Sequence, residues 1–306
     1  MTRWGLVATI LAEPADILRF AAHHLEAGAH RLYIYLDAPS VAYQALKAHP
    51  KIRPTLCDDA HWTKLNGKRP VKHQVRQTLN ATHAYRRRAE VDWLIHIDCD
   101  EFLVADQPID RILSALPAGT TSARVRPMEQ LAGARDMFKA FIPPDAKRDP
   151  LVRRLYPNYG AHLKGGFLSH VAGKLFVRTG LEDITFRIHN AFQGDTMLPC
   201  GAELAQIDLA HAHAKTWEDW RAHYRYRLEK GAYRAELTRT GEMLSMHELF
   251  RFIEAEEGED GLRAFYVEVA EDSPDLRARL QAEGLLRQHD LALDGKLAQH
   301  FPDFAP

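Results

Sequence analysis

The chain has 306 residues, 46% of them hydrophobic, with 40 basic side chains against 41 acidic ones. It is long enough to bury a full core, as one large domain or one domain with a small extension, and too apolar to be disordered. Charges that nearly cancel exclude an overall field drawing the molecule to nucleic acid or an anionic membrane, so any such affinity has to be local.

Residues 5–12 (GLVATILA) are apolar throughout and predict a strand covered on both faces. A helix follows at once: Pro14 suits a first helical position, Ile17, Leu18, Ala21, Ala22 and Leu25 form an apolar stripe, and Gly28 closes it. "RLYIYLD" is a second strand, so this β-α-β unit predicts a right-handed crossover and a parallel pair. The rhythm repeats with a helix in "SVAYQALKAHP", a short strand in "IRPTLCDD", a long helix from about Val71 to Ala89, and a strand in "DWLIHID". A short helix in "PIDRILSALP" and a strand in "TSARVRPM" complete an α/β half with a mostly parallel sheet.

Beyond Met128 a Pro- and Gly-containing region runs to about Gly173, where "IPPDAKRDP" and "YPNYGAHLKGG" read as loops. Short strands follow in "KLFVRT", "ITFRIH" and "QIDLAH". From Thr216 the chain turns helical: Thr216 with Asp219 and Ser245 with Glu248 are capping-box-like pairs, and Ser273-Pro274 supplies a cap and a first-turn proline. The expected organisation is a domain over 1–215, with a donor-binding half of about 1–128 and an acceptor or loop half of about 129–215, then a helical extension over 216–306.

Cys57, Cys99 and Cys200 lack paired C-x-x-C spacing and read as reduced thiols of a cytoplasmic chain. The apolar run in "MTRWGLVATILAEPA" is short and reads as a first strand rather than a leader. No stretch approaches the ~18 apolar residues of a membrane span.

The predicted strands end in acids: Glu13 after the first, Asp37 after the second, Asp58 and Asp59 after the third, Asp98 and Asp100 after the fourth. In open α/β sheets ligands bind at the carboxyl ends of the strands, although Asp also favours turns and caps for its own sake. In "IDCDEF", Asp98 and Asp100 are two apart, and in extended chain they project the same way. Adjacent carboxylates repel unless a cation lies between them or one is protonated, and hard oxygens favour Mg²⁺ or Mn²⁺ over zinc.

"DWLIHIDCDEFLV" resembles the D-W-x-x-x-x-D-x-D-E-F segment of GT-A glycosyltransferases, in particular the bacterial family 2-like enzymes. Upstream, "VATILAEPADILRFAAHHLEAGAHRLYIYLD" is similar to that family's opening strand, helix and second strand. Downstream, "GKLFVRTGLEDITFRIHNA" and "LAHAHAKTWEDWRAHYRYRLEKGAY" resemble its Lys-x-x-x-Arg strand and its late His-Tyr-x-x-Lys-Ser segment. The resemblance covers residues 5 to about 232. Ala12-Glu13 replaces the usual Asn-Glu, "LDAPS" the Asp-Asn-x-Ser turn, His211-Ala212 the His-Tyr and Thr216 the Ser, as in a divergent member.

The resemblance implies a Rossmann-like nucleotide-diphospho-sugar transferase fold and transfer of a sugar from a nucleotide-sugar donor, a UDP-sugar first of all, to a glycan or lipid-linked acceptor. It implies Asp100 as the direct metal ligand, Asp98 on metal, ribose or both, and His211 as a further metal or phosphate contact, with His213 and His189 as competing histidines. Glu13 and Asp37 take nucleotide-side positions, and Gln77, Lys174 and Lys215 stand at family-like positions; Lys68, Arg69 and Lys72, in "KLNGKRPVKH" before the long helix, either meet donor phosphates or form a solvated charged face. If the reaction inverts the anomeric centre, Glu129, after "ARVRP", is the first choice for an acceptor base, with Asp183 and Asp195 as alternatives. Trp62, Tyr156, Tyr159 and Phe167 form either an acceptor platform or core. The basic aromatic stretch after Thr216 suggests a packed helix or peripheral contact with an anionic membrane. Rival readings are a metal-dependent phosphoesterase or nucleotidyltransferase, although no P-loop is present, and a non-catalytic sugar-nucleotide binding module.

Overall fold

In a computed structural model, residues 1–87, 90–231, 233–236 and 244–304 are described. The first βα repeats form as their patterns dictate: β1 (Trp4–Ile10), buried at every position, α1 (Pro14–Glu26), β2 (Arg31–Leu36), α2 (Ala42–Ala48) and β3 (Ile52–Leu56). Pro14 begins α1, and Gly28 takes φ +90° just beyond its end. Next come α3 (Asp59–Asn66), α4 (His73–Arg86), β4 (Trp93–His96), β5 (Glu101–Ala105), α5 (Ile109–Ser114) and β6 (Ser122–Gln130). The expected helix end at Ala89 lies outside the described residues.

β7 (Met137–Lys139), α6 (Arg148–Leu155), β8 (Lys174–Arg178), β9 (Ile184–Phe186), β10 (Ala191–Gln193), β11 (Thr196–Met197) and β12 (Glu203–His211) follow. The chain ends in α7 (Trp217–Glu229), α8 (Met246–Glu256), α9 (Gly258–Val269), α10 (Pro274–Ala282), β13 (Leu286–Gln288) and α11 (Leu293–His300).

Among the elements that depart from the expected pattern are α3, α6 and the short strands β5, β7, β10, β11 and β13. α3 forms because Asp58, read as a strand-end acid, is its N-cap and accepts the His61 amide at 2.8 Å. α6 forms within a stretch expected as loop, because Pro150 falls in its first turn, where backbone N–H groups need no helical partner. β7 is only three residues long and carries no alternation to read.

The chain packs as two compact units, one of Met1–Arg126, Ala172–Leu209 and Leu291–Pro306, the other of Pro127–Val171 and Ala210–Asp290. These bounds differ from the single break expected near Thr216: the late helices group with 127–171, and the last residues group with the N-terminal strands.

The first unit has the α/β, mostly parallel, Rossmann-like architecture expected. β3, β2, β1 and β4 run parallel in that order, then β8 antiparallel to β4 and the start of β6 antiparallel to β8. α1 packs on β5 and α11, and α4 on β1. Its core includes Val7, Tyr35, Trp62, Leu94 and Val177.

In the second unit the end of β6 pairs with β7, placing Glu129 opposite Lys139, and β7 pairs with β13. Its core gathers Leu155, Trp220, Tyr224, Phe250, Phe265 and Tyr266 from the helices. Two arginines of α7 are paired with acids of neighbouring helices, Arg221 with Glu259 at 2.5 Å and Arg225 with Glu254 at 2.9 Å, as in a packed helix with a solvated face. Among the described residues no helix is long and apolar enough to cross a membrane.

Candidate functional site

The strand order reverses between β1 and β4: from β1 the chain winds outward to β2 and β3, then returns to β4 on the other side. Such a switch point opens a crevice outside the carboxyl ends of the two strands, where ligands bind in open α/β sheets. Here those ends are Ile10 and His96, and the acidic segment starts two residues after His96.

The segment is a turn rather than the extended run expected, so alternation along a strand does not set its geometry. The Glu101 amide donates to the Asp98 carbonyl at 3.1 Å, and the Asp98 amide donates back to the Glu101 carboxylate at 2.8 Å. Asp98 and Asp100 are half-buried and Glu101 fully buried.

Part of the charge conflict is relieved from within the chain. The buried Lys174 ammonium, at the start of β8, lies 2.6 Å from Asp98 Oδ2 and 3.2 Å from Glu101 Oε2. Burial opposes the charge of Lys174, but the Asp98 and Glu101 carboxylates outweigh it and push its pKa up to about 12. Gln77, on α4, donates to Asp98 Oδ1. Gln77, Asp98 and Lys174, all singled out from the sequence, thus come together, and Glu101 joins them.

Gly173 makes the placement of Lys174 feasible: it takes φ +69°, and a Cβ there would stand 2.0 Å from the Val125 carbonyl oxygen. His189 Nδ1 donates to the Gly173 carbonyl at 3.0 Å, which gives this histidine a structural partner.

At the end of β2, the Asp37 side chain is fully buried and bound by Arg69 at 2.9 Å and Arg76 at 2.8 Å, with His73 at 3.6 Å. Burial raises the pKa of its carboxyl, but His73, Arg76 and Arg69 overcome this and hold it below the ordinary value. Asp37 therefore organises two guanidinium groups, and Arg76 is a member that the sequence reading missed. Lys68 and Lys72 are exposed, and Lys72 is the N-cap of α4 without a side-chain cap. Glu13 is exposed at the start of α1, with no capping bond from its side chain.

Glu129 belongs to the second unit, and its surroundings do not suit the base role expected. It pairs with buried Lys139 at 2.7 Å and accepts the amides of Leu168 at 3.0 Å and Ser169 at 2.7 Å. Burial raises its pKa, but Lys139 leads the opposing interactions that hold it at about 2. A carboxylate so stabilised is a poor proton acceptor and a good structural anchor. The alternatives, Asp183 and Asp195, are exposed, and Asp183 takes φ 54° with Arg86 at 3.7 Å.

His211 is buried in the same unit, its ring 5.2 Å from those of both His170 and His213. His213 Nε2 lies 3.4 Å from the Tyr233 hydroxyl. Lys215 is exposed, with its carbonyl accepting the Gly133 amide at 2.9 Å. Trp62, Tyr156 and Phe167 are buried core residues rather than an acceptor platform, and Tyr159 packs edge-on against Phe265.

Within the first unit the donor set of the turn is carboxylate oxygen, which suits Mg²⁺ or Mn²⁺. Each oxygen of Asp98 accepts a hydrogen bond, Oδ1 from Gln77 and Oδ2 from Lys174.

No family model matches the chain, and no curated protein does. Among solved structures it is similar to the galactosyltransferase LgtC in complex with donor and acceptor sugar analogues, at 15% identity over 57% of each chain with a TM-score of 0.28. A mycobacterial protein matches at 14% identity over 79% of this chain and 78% of that one, TM-score 0.35. Glucosyl-3-phosphoglycerate synthase from Mycobacterium tuberculosis in complex with phosphoglyceric acid matches at 14% identity over 58% and 57%, TM-score 0.26. The chain spans 57% of the length of the galactosyltransferase and of the synthase.

Proposed function

We propose that the protein is a cytoplasmic, metal-dependent glycosyltransferase that moves a hexosyl group from a nucleotide-sugar donor, a UDP-sugar first, to a cell-surface glycan or lipid acceptor in polysaccharide biosynthesis. The observation that carries this reading is the acidic turn Asp98–Glu101, oriented by Lys174 and Gln77 at the carboxyl end of β4 beside the switch point of a parallel sheet. The resemblance of "DWLIHIDCDEFLV" to the D-x-D-E-F segment of GT-A enzymes supports it.

In this reading Asp100 holds Mn²⁺ or Mg²⁺, and Asp98, fixed by Gln77 and Lys174, supplies a second oxygen or receives a ribose hydroxyl. A divalent ion bound there supplies Lewis-acid neutralisation of a leaving diphosphate. Lys68 and Lys72 add mobile positive charge at the start of α4, whose first-turn amides have no side-chain cap. Arg69 and Arg76, tied to Asp37, form a fixed positive wall at the end of β2.

The test is incubation with UDP-, GDP- and dTDP-sugars and Mn²⁺, following donor consumption by NMR with and without candidate glycan acceptors. Slow metal-dependent release of one nucleoside diphosphate, accelerated by an acceptor, is the expected result. Cleavage of a simple phosphoester with every nucleotide-sugar left intact would replace this reading with a phosphoesterase.

A further inference from the structure

Two histidines that take no part in the proposed chemistry hold the strand that follows the acidic turn. His23 and His24 are consecutive on α1 and buried, at 4% and 0% exposure. Both reach Leu103, the third residue of β5 and two beyond Glu101. His23 Nε2 lies 2.9 Å from the Leu103 carbonyl oxygen, and the Leu103 amide lies 3.3 Å from His24 Nε2.

These partners fix where each ring carries its hydrogen. A carbonyl only accepts and an amide N–H only donates, so His23 bears its hydrogen on Nε2 and His24 does not. The other nitrogens agree: His23 Nδ1 faces the Lys296 ammonium at 3.2 Å, and His24 Nδ1 donates to the Phe20 carbonyl at 2.9 Å. Two neighbouring neutral imidazoles are held in opposite tautomers, and His24 cannot take a proton on Nε2 without losing the Leu103 amide. Burial, with the nearby charge of Lys296, lowers His23 to about 4; burial and the neighbouring His23 take His24 well below its ordinary value. Phe102 adds ring contacts, edge-on to His23 at 5.2 Å and stacked on His24 at 6.1 Å.

We propose that His23 and His24 are positioning residues for the acidic turn: by holding both main-chain groups of Leu103 they fix where β5 begins and so where Asp98 and Asp100 stand. The consequence for binding rests on the donor-site reading above, whereas the clamp itself does not. Simple packing would accept any ring at these positions; a clamp requires a donor at 23 and an acceptor at 24.

The test uses the full chain and compares His24→Phe, which keeps a ring but loses the acceptor, with His24→Gln, whose side-chain oxygen accepts. Three quantities are measured: imidazole nitrogen shifts by NMR, amide exchange across residues 98–105, and affinity for UDP with Mn²⁺. The wild type is expected to show one Nε2–H and one Nδ1–H ring. His24→Phe is expected to speed Leu103 exchange and weaken Mn²⁺–UDP binding at least about tenfold each, and His24→Gln to restore both.

Equal behaviour of the two variants, or unchanged Leu103 exchange in His24→Phe, overturns the proposal, as does faster exchange with undiminished UDP affinity. If UDP binds to no form of the protein while exchange follows the expected pattern, the clamp is supported and the donor-site reading fails. Should His24→Phe not fold, the wild-type rings decide: two identical tautomers, or a charged ring at neutral pH, overturns it.

Discussion

Lys174 carries more of the site than any other side chain, because it is the cation that lets two carboxylates of the turn sit together below the surface. Replacing it by Met would take a buried cation away from fully buried Glu101 and half-buried Asp98. Breaking a buried pair from one side costs about 3–5 kcal/mol, so Lys174→Met is expected to lose that much in urea denaturation; a loss under about 1 kcal/mol would show the pair to be a surface one in effect. Glu129 allows a pH test. Its folded pKa of about 2 lies below its ordinary value of 4.5, so its stabilising effect is fully present above pH 4.5 and is lost as pH falls through 2. The stability gap between wild type and Glu129→Gln is expected to be widest above pH 4.5 and to close toward pH 2. A gap that stays constant across that range would mean that the carboxylate charge contributes nothing.

At the scale of elements, the parallel strands were legible because their apolar runs and Gly, Pro and Asp punctuation reflect burial on two faces, which only a covered sheet provides. The caps were legible for a similar local reason: Ser245 and Glu248 form the reciprocal box, and Thr216 accepts the Asp219 amide at 3.1 Å. What the sequence hid was long-range. Lys174 lies 76 residues from Asp98, and Glu129 meets Lys139 only through the pairing of β6 with a three-residue strand that has no pattern of its own. The turn at Asp98 was misread as extended because a D-x-D spacing fits either geometry. Asp58, by contrast, did only what Asp does at a helix start. Gly173 offers a test at this scale: Gly173→Ala pushes a Cβ into the Val125 carbonyl as well as straining φ, whereas Gly180→Ala, at φ +85° with open space around it, meets only the strain. The second is expected to cost about 1–2 kcal/mol and the first clearly more, read from thermal unfolding; equal losses would contradict the close approach of β8 to β6.

For the whole molecule, a net charge of −1 leaves little general attraction for anions, so in the proposed reading affinity for a nucleoside diphosphate comes from the local site: a divalent ion on the acidic turn, and the exposed Lys68 and Lys72. Binding should accordingly depend on the divalent ion far more than on ionic strength. The direct measurement is calorimetric titration of a panel of nucleoside diphosphates with Mn²⁺, with Mg²⁺ and with chelator, into the wild type and Asp100→Ala. Asp100 is half-buried on the turn, so the variant is expected to keep its melting temperature to within a few degrees while losing affinity about 100-fold or more, comparable to the effect of chelator. One nucleotide bound only with metal, and lost in Asp100→Ala, is the result this account predicts. Binding that survives both chelator and the substitution, or no binding of any nucleotide to the folded protein, would contradict it.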